Sequence, residues 1–111
     1  MSTLDQSLTE REPHTAKWHV YMILCSDHSV YVGITTNVEQ RYAKHVNGKG
    51  AKYTRSHPPL RLLRTWDCAD RVEASKLEFY SKSLTRPRKL YAAAYGLREG
   101  VPRDVPLMEP E

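Results

Sequence analysis

Two runs of β-branched and aromatic residues with a very short connection between them constrain this chain most. Residues 18–25 (WHVYMILC) and residues 30–35 (VYVGIT) flank the tetrapeptide 26–29 (SDHS), whose residue types favour turns. Short runs of this composition on either side of a tight connection predict a β-hairpin. The chain therefore begins its fold with two antiparallel strands.

A helix is predicted directly after the hairpin. Thr36 and Glu39 have the spacing of a capping box, and Asn37 competes with Thr36 as the cap. The helix predicted over 37–47 ends before Gly48, because glycine commonly terminates helices in a left-handed conformation.

The remaining elements complete an α+β pattern. Residues 48–58 are predicted to form a basic loop, and residues 60–66 (LRLLRTW) a third strand. A capping-box pair that begins at Asp70 opens a helix over 71–84, and a last helix is predicted over 86–95. The order ββαβαα predicts an α+β fold, a three-stranded antiparallel sheet flanked by helices.

The length and the distribution of charge predict one central domain. A chain of 111 residues has the size of a single domain. Residues 17–96 hold 14 basic and 6 acidic side chains, a net charge of +8, whereas 1–16 and 97–111 each carry a net charge of −2. We predict a domain over 17–96, a flexible acidic N-terminal tail over 1–16 and a flexible, Pro-containing C-terminal tail over 97–111.

Positive charge is densest in residues 37–66, where Glu39 is the one acidic residue. Tyr42 and Tyr53 are interleaved with the bases. This composition suits a polyanionic partner, because neutralised phosphates release counterions and so drive nucleic-acid binding. A solvated basic face is the alternative, and charge alone does not separate the two. The seven basic residues are Arg41, Lys44, Lys49, Lys52, Arg55, Arg61 and Arg64.

A few features bear on cellular location. The first 17 residues are polar and acidic, unlike a secretory signal, and no apolar run approaches the roughly 18 residues needed to span a bilayer. Cys25 and Cys68 are too few for a disulfide framework. These features predict a reduced, cytoplasmic protein without membrane contact.

Five polar residues occur in a characteristic order along the ββαβα segment. They are Tyr21, Tyr31, Arg41, His45 and Glu78. This order, with HVY at 19–21 and YVG at 31–33 as signature tripeptides, resembles the GIY-YIG nuclease family. The chain is similar over about 18–95 to small, stand-alone bacterial members that consist of little more than the catalytic domain.

The resemblance implies metal-dependent hydrolysis of phosphodiester bonds in DNA, in DNA repair or processing. It implies that Tyr21 and Tyr31 are the two signature tyrosines and that Arg41 is the catalytic arginine. It further implies His45 as a partner of that arginine and Glu78 as the metal-binding glutamate. One divalent ion, Mg²⁺ or Mn²⁺, is the expected cofactor, and no small-molecule organic cofactor is expected.

These residue types also suit the chemistry on physical grounds. Mg²⁺ keeps most of its waters and takes phosphate oxygens as further ligands, so the single carboxylate of Glu78 suffices to hold it. Arg41 can grip a phosphate with its fork of donors, and His45 lies on the same helix face four residues later. Two residues compete as general base: the resemblance favours Tyr31, whereas a reference pKa of about 6.5 favours His45.

Substrate contacts are expected from basic residues near this set. In particular, Lys82 follows Glu78 by four residues, so it either contacts a substrate phosphate or forms an ordinary helix ion pair. The predicted substrate-binding residues are Lys44, Lys49, Lys52, Arg55 and Lys82.

The length of the hairpin loop decides where the tyrosines lie. With an odd loop such as 27–29, Tyr21 and Tyr31 share a face; Tyr21 is then opposite Thr35, and the two tyrosines are four residues, or about 13 Å, apart along the strands. With an even loop such as 26–29 they lie on opposite faces unless a bulge intervenes.

Two departures from the family pattern motivate a second hypothesis. His19 replaces the opening glycine of the first signature, and no asparagine occurs around Leu90, where members often carry one. A nucleic-acid-binding module that keeps the fold with weak or no turnover is therefore the alternative. A protein-interaction adaptor whose basic face meets an acidic partner is a third possibility.

Overall fold

Three antiparallel strands and four helices follow one another in the computed structural model, which describes residues 17–109. The predicted α+β fold is confirmed, and the long elements have the predicted order. One short helix, α2, lies within the predicted basic loop 48–58. The elements are β1 (Trp18–Cys25), β2 (Val30–Thr35), α1 (Val38–Val46), α2 (Lys52–Ser56), β3 (Pro59–Cys68), α3 (Arg71–Lys82) and α4 (Arg86–Tyr95).

The sheet has the strand order β2-β1-β3, so β1 is its centre. Every residue of β1 from Val20 to Cys25 is buried, because helices and loops cover both of its faces. Side chains of β1 and β2 that include Val20, Met22 and Val32 face the main core, which α3 and α4 also line. Tyr21, Ile23 and Cys25 point to the opposite face, where Tyr31 and Tyr42 pack against them. The two signature tyrosines, Tyr21 and Tyr31, therefore lie on the α1 side of the sheet.

The hairpin register differs from the predicted one by two residues. The Cys25 amide donates to the Ser29 carbonyl (2.9 Å), and the turn closes with His28 in the left-handed region, at a φ of 69°. The connection is odd in length, but Tyr21 lies opposite Gly33 rather than Thr35. The predicted separation of four residues, about 13 Å, was wrong, since Tyr31 lies opposite Ile23, two residues along β1 from Tyr21, and the two ring centroids are 6.3 Å apart.

The ends of the long helices follow from local hydrogen bonding. The side chain of Asn37, not of Thr36, caps α1 by accepting from the Gln40 amide at 3.0 Å. Gly48, with a φ of 74°, follows the end of that helix. The Asp70 carboxylate caps α3 by accepting from the Glu73 amide at 2.9 Å. These caps fix the helices that carry the candidate site.

The C-terminal boundary of the domain requires a correction. The predicted tail 97–111 begins with core residues: Leu97 is 1% exposed and Val101 is 6% exposed. The Val101 amide donates to the Tyr80 hydroxyl (2.8 Å), and Arg88 donates to the Val101 carbonyl (2.7 Å). The domain therefore extends past residue 96. The predicted N-terminal tail, 1–16, and residues 110–111 lie outside the described residues.

Two further findings concern the cysteines and the helices. Cys25 and Cys68 are both buried and unpaired. Within residues 17–109, no helix has the length and apolarity that a membrane crossing requires.

Candidate active site

The ring of Tyr21 lies across Gly33, its partner on the neighbouring strand. A Cβ atom at position 33 would lie 2.4 Å from the Tyr21 hydroxyl oxygen and 2.6 Å from Cζ. A glycine is therefore required here, because any side chain would displace the tyrosine ring from the sheet surface.

A chain of hydrogen bonds links Tyr21 to α1 and α2 through a buried histidine. The Tyr21 hydroxyl lies 2.8 Å from His45 Nε2, and His45 Nδ1 lies 2.7 Å from the Thr54 hydroxyl. Thr54 donates its single hydroxyl proton to the Ala51 carbonyl at 3.0 Å, so it accepts from His45 Nδ1–H. His45 Nε2 then carries no proton and accepts from the Tyr21 hydroxyl.

The surroundings of this chain of hydrogen bonds favour its neutral form. Burial, and secondarily the positive charge of Arg41, lower the pKa of His45 to about 4. Burial raises the pKa of Tyr21 to about 12; a hydrogen bond from Arg41 opposes this shift, and the charge of Glu78 adds to it. His45 and Tyr21 are thus both uncharged at neutral pH.

Tyr31 is the more accessible of the two signature tyrosines. It is half-buried, whereas Tyr21 is 1% exposed. Its ring lies edge-on to His45 with centroids 5.2 Å apart and stacks on Tyr53 at 6.0 Å. A water molecule or substrate can therefore reach Tyr31 but not Tyr21.

Arg41 faces two environments from α1. It opposes the burial-driven rise in the pKa of Tyr21, and it also lines a polar cleft of about 320 Å³. Lys44 lines the same cleft, together with Trp18 and Arg71. We call this feature the Trp18 cleft. His45 belongs to the same helix as Arg41, but its side chain is buried beneath the sheet face rather than in the cleft.

Glu78 lies on α3 with 22% of its side chain exposed. Its carboxylate forms an ion pair with Lys82 at 3.1 Å, one helical turn later. The Glu78 charge adds to the rise in the pKa of Tyr21, and its ion-pair partner Lys82 lines a cleft with Tyr31. Arg41, Tyr31 and Glu78 thus act on Tyr21 electrostatically, whereas His45 bonds it directly.

The predicted substrate-binding residues divide into two groups. Lys44 lines the Trp18 cleft, and Lys82 pairs with Glu78. Lys49, Lys52 and Arg55 are exposed on the loop before α2 and on α2 itself. The structure brings the first two to the site, whereas the other three line neither of the two clefts beside it.

Three residues of the site were missed by sequence reasoning. Thr54 and Tyr53 sit on the short helix α2, and Gly50 packs so tightly that a Cβ there would lie 2.4 Å from His45 Nδ1. The interleaving of Tyr53 with basic residues was a visible signal. Thr54 had no such signal, because its partner His45 is nine residues away and nothing in the sequence shows that His45 is buried.

The donors present fit a hard, mostly hydrated divalent ion. Within residues 17–109, no group of three or more His, Cys, Asp or Glu side chains converges. Glu78 therefore offers one carboxylate on a partly open surface. This donor set suits Mg²⁺ or Mn²⁺, which retain waters and take phosphate oxygens.

Residues 17–92 match the GIY-YIG catalytic domain, and the chain belongs to the GIY-YIG family. This is a family of nucleases, so the resemblance seen in the sequence is confirmed.

Small single-domain relatives are similar along most of their length. A UPF0213 protein of Xanthomonas campestris is 44% identical over 93 residues, which are 81% of this chain and 91% of that protein. The UPF0213 protein BH0048 of Halalkalibacterium halodurans is 46% identical over 71 residues, which are 64% of this chain and 76% of that one. The solution NMR structure of UPF0213 protein BH0048 from Bacillus halodurans is 40% identical, covers 74% of this chain and 87% of that chain, and has a TM-score of 0.47.

Proposed function

We propose that this protein is a metal-dependent DNA endonuclease that hydrolyses phosphodiester bonds in DNA repair or processing in the cytoplasm. Membership in a nuclease family supports the class of reaction. The observation that carries the proposal is that the ring centroids of Tyr21 and Tyr31 lie 6.3 Å apart, and that Lys82, the ion-pair partner of Glu78, lines a cleft with Tyr31. Arg41 lies one helical turn before His45, which bonds Tyr21. On this basis a phosphate binder, a carboxylate and a phenol serve one site.

The roles follow from what phosphodiester cleavage requires. Arg41 binds the non-bridging oxygens of the scissile phosphate with charge-assisted hydrogen bonds. Glu78 holds the divalent ion, which when bound supplies positive charge to the phosphate and to the leaving alkoxide. Lys82 is paired with Glu78 and would be available to a substrate phosphate if a divalent ion occupied the carboxylate.

We assign the general base to Tyr31 rather than to His45. Both ring nitrogens of His45 are occupied, and the residue is 1% exposed, so it has no free atom for an attacking water. Tyr31 is half-buried, so an attacking water can reach its hydroxyl. His45 and Tyr21 then act as positioning residues.

Incubation with DNA tests the proposal. Nicked, branched and linear substrates are incubated with Mg²⁺ or Mn²⁺, and products are resolved on denaturing gels. We expect cleavage of at least one substrate, its loss with EDTA, and its loss in Glu78→Gln. Glu99→Gln is the matched control, because Glu99 is exposed and lies outside the site. Equal cleavage by the wild type and Glu78→Gln would overturn the assignment of Glu78.

One observation favours the alternative function, a binding module with weak or no turnover. The Lys82 ammonium lies 3.1 Å from the carboxylate that the ion would need, and no asparagine occurs near Leu90, which is itself a core residue. Salt-dependent DNA binding without a metal-dependent product on any substrate would select this function over hydrolysis.

A further inference from the structure

The edge strand β2 has a cationic cleft at each of its ends. At its C-terminal end lies the Trp18 cleft, which Ile34 and Thr35 also line. At its N-terminal end lies a second cleft of about 320 Å³, lined by Ser29, Tyr31 and Val32 of the hairpin and by Tyr53. Its cations are Lys82, Arg86 and Lys89. We call it the Tyr31 cleft.

Within the described part of the chain, the positive charges in the Trp18 cleft have no anionic partner, whereas in the Tyr31 cleft Lys82 is paired with Glu78. None of the described residues that line either cleft is acidic. Among the ion pairs within residues 17–109, none involves Arg41, Lys44 or Arg71. In the Trp18 cleft, the Arg71 guanidinium is held over the Trp18 ring, 5.3 Å from its centroid. Three basic side chains from two helices therefore converge without an anionic partner.

Like charges are also held together in the Tyr31 cleft. Burial lowers the pKa of Lys89, and the positive charge of Lys82 adds to this shift, so the two ammonium groups feel each other. Arg86 is anchored by a hydrogen bond from Nε to the His28 carbonyl at 2.5 Å. Arg86 and Lys89 form no ion pair within residues 17–109, so an anion that enters the cleft would meet two unneutralised charges. Sequence reasoning identified Lys82 as a substrate contact, whereas Arg86 and Lys89 had no assignment.

The spacing of the clefts matches a nucleic-acid backbone. From Tyr31 to Thr35, four residues of extended strand span about 13 Å. Adjacent phosphates of one DNA strand are separated by a full nucleotide of backbone, roughly twice the axial rise of 3.4 Å, so this length corresponds to about three successive phosphates. Tyr21 and Gly33 lie between the two clefts on the same strand pair.

We propose that one strand of the DNA substrate runs along the β2 edge, with flanking phosphates in the Trp18 cleft and in the Tyr31 cleft and the scissile phosphate between them. Arg71 and Lys89 are then substrate-binding residues on either side of the reaction centre. This inference rests on the proposed function for the choice of DNA as ligand. It adds the path of the strand and the residues that bind it.

Binding without hydrolysis tests the path. A fluorescein-labelled 20-bp duplex and one of its single strands are titrated in EDTA, at several salt concentrations, with fluorescence anisotropy as readout. Arg71→Gln and Lys89→Gln are each expected to weaken binding of at least one probe about 3- to 10-fold. Each should lower the slope of log K against log[salt] by about one. The double variant should lose the product of the two factors, since both sites contact one strand.

Matched controls remove a charge elsewhere. Lys76→Gln on α3 and Arg103→Gln after α4 remove exposed cations outside both clefts, and their binding and salt slopes should equal those of the wild type. Lys44→Gln provides a second, exposed position in the Trp18 cleft if Arg71→Gln fails to fold. Far-UV circular dichroism and thermal melts establish folding for each variant.

The outcomes separate this inference from the proposed function. Wild-type affinity and slope in folded Lys44→Gln and Lys89→Gln, or no salt-dependent binding of either probe by the wild type, would overturn the path. If metal-dependent cleavage by the wild type occurs in that case, the nuclease proposal stands without it. Conversely, reduced slopes in both variants without any metal-dependent product would support the path while the hydrolytic function fails.

Discussion

The hydroxyl of Tyr21 lies 2.8 Å from Nε2 of His45, and each residue is only 1% exposed. A polar contact this deeply buried has no water to replace a lost partner, so its removal costs the desolvation of whichever atom remains. The pair therefore ties the first signature tyrosine to the stability of the fold as well as to the site.

Tyr21→Phe is expected to lower the free energy of unfolding by about 1–3 kcal/mol, because His45 Nε2 loses its donor in a buried environment. Urea denaturation measures this change. Tyr95→Phe is the matched control, since Tyr95 is 66% exposed and should be unaffected. Equal stability of Tyr21→Phe and the wild type would mean that the bond contributes nothing to folding.

Tyr31→Phe should lower the cleavage activity without lowering the stability of the fold. Tyr31 is half-buried at the accessible end of the site, so loss of its hydroxyl should leave the fold intact. Loss of a general base should reduce the cleavage rate by about 10²- to 10⁴-fold. Single-turnover cleavage measures this, and a Tyr31→Phe variant as active as the wild type would transfer the role of base elsewhere.

The stability of the protein should depend on pH through His45. Its pKa falls from 6.5 to about 4 on folding, so between these values the unfolded chain binds more protons than the folded one. Stability is therefore complete above pH 6.5 and decreases as the pH falls toward 4, by up to about 3 kcal/mol. Urea denaturation from pH 4 to 8 measures it. In His45→Gln the dependence in this window should be much weaker; an unchanged dependence would point to another group.

Gly33→Ala should disturb Tyr21 directly. The new methyl group would lie 2.4 Å from the tyrosine hydroxyl oxygen, so the ring must shift, at a cost of about 1–3 kcal/mol. Gly48→Ala is the comparison, because nothing lies within 4 Å of its Cβ and only its positive φ opposes the change. We expect both variants to be destabilised but only Gly33→Ala to lose cleavage activity. Full activity in Gly33→Ala would contradict the need for this close contact.

Leu97→Ala tests the corrected domain boundary. Leu97 is 1% exposed within the core, so its truncation should cost about 2–5 kcal/mol, measured by urea denaturation. Leu107→Ala should change stability by less than about 0.5 kcal/mol, because Leu107 is 81% exposed. Similar stability of the two variants would mean that residues 97–109 are a tail and not part of the folded domain.

The sequence was sufficient for the elements whose signals are local. The composition of β1 and β2 specified both strands, and β3 extends only slightly beyond the predicted 60–66. The helix α2 was not predicted because its five residues have no apolar period and no side-chain cap. Its stability comes from tertiary contacts, in which Tyr53 stacks on Tyr31 and Thr54 bonds His45.

The remaining errors arose where distant parts of the chain decide the structure. The hairpin register depends on the conformation of His28 in the turn, which its residue type does not determine. Leu97 and Val101 stand among prolines and charged residues without periodicity, so their burial against α3 and α4 was invisible locally. The candidate site residues could be named from their order along the chain, but the buried state of His45 required the three-dimensional contacts.

The charged clefts at both ends of β2 have a consequence for how copies of this protein meet. β2 is an edge strand, and the backbone N–H and C=O groups along such an edge can pair with the same strand of another copy. If two copies approached each other through their β2 edges, the six cations that line the two clefts of one copy would face the six of the other. Repulsion between these charges should therefore prevent edge-to-edge aggregation through β2 until a polyanion binds there.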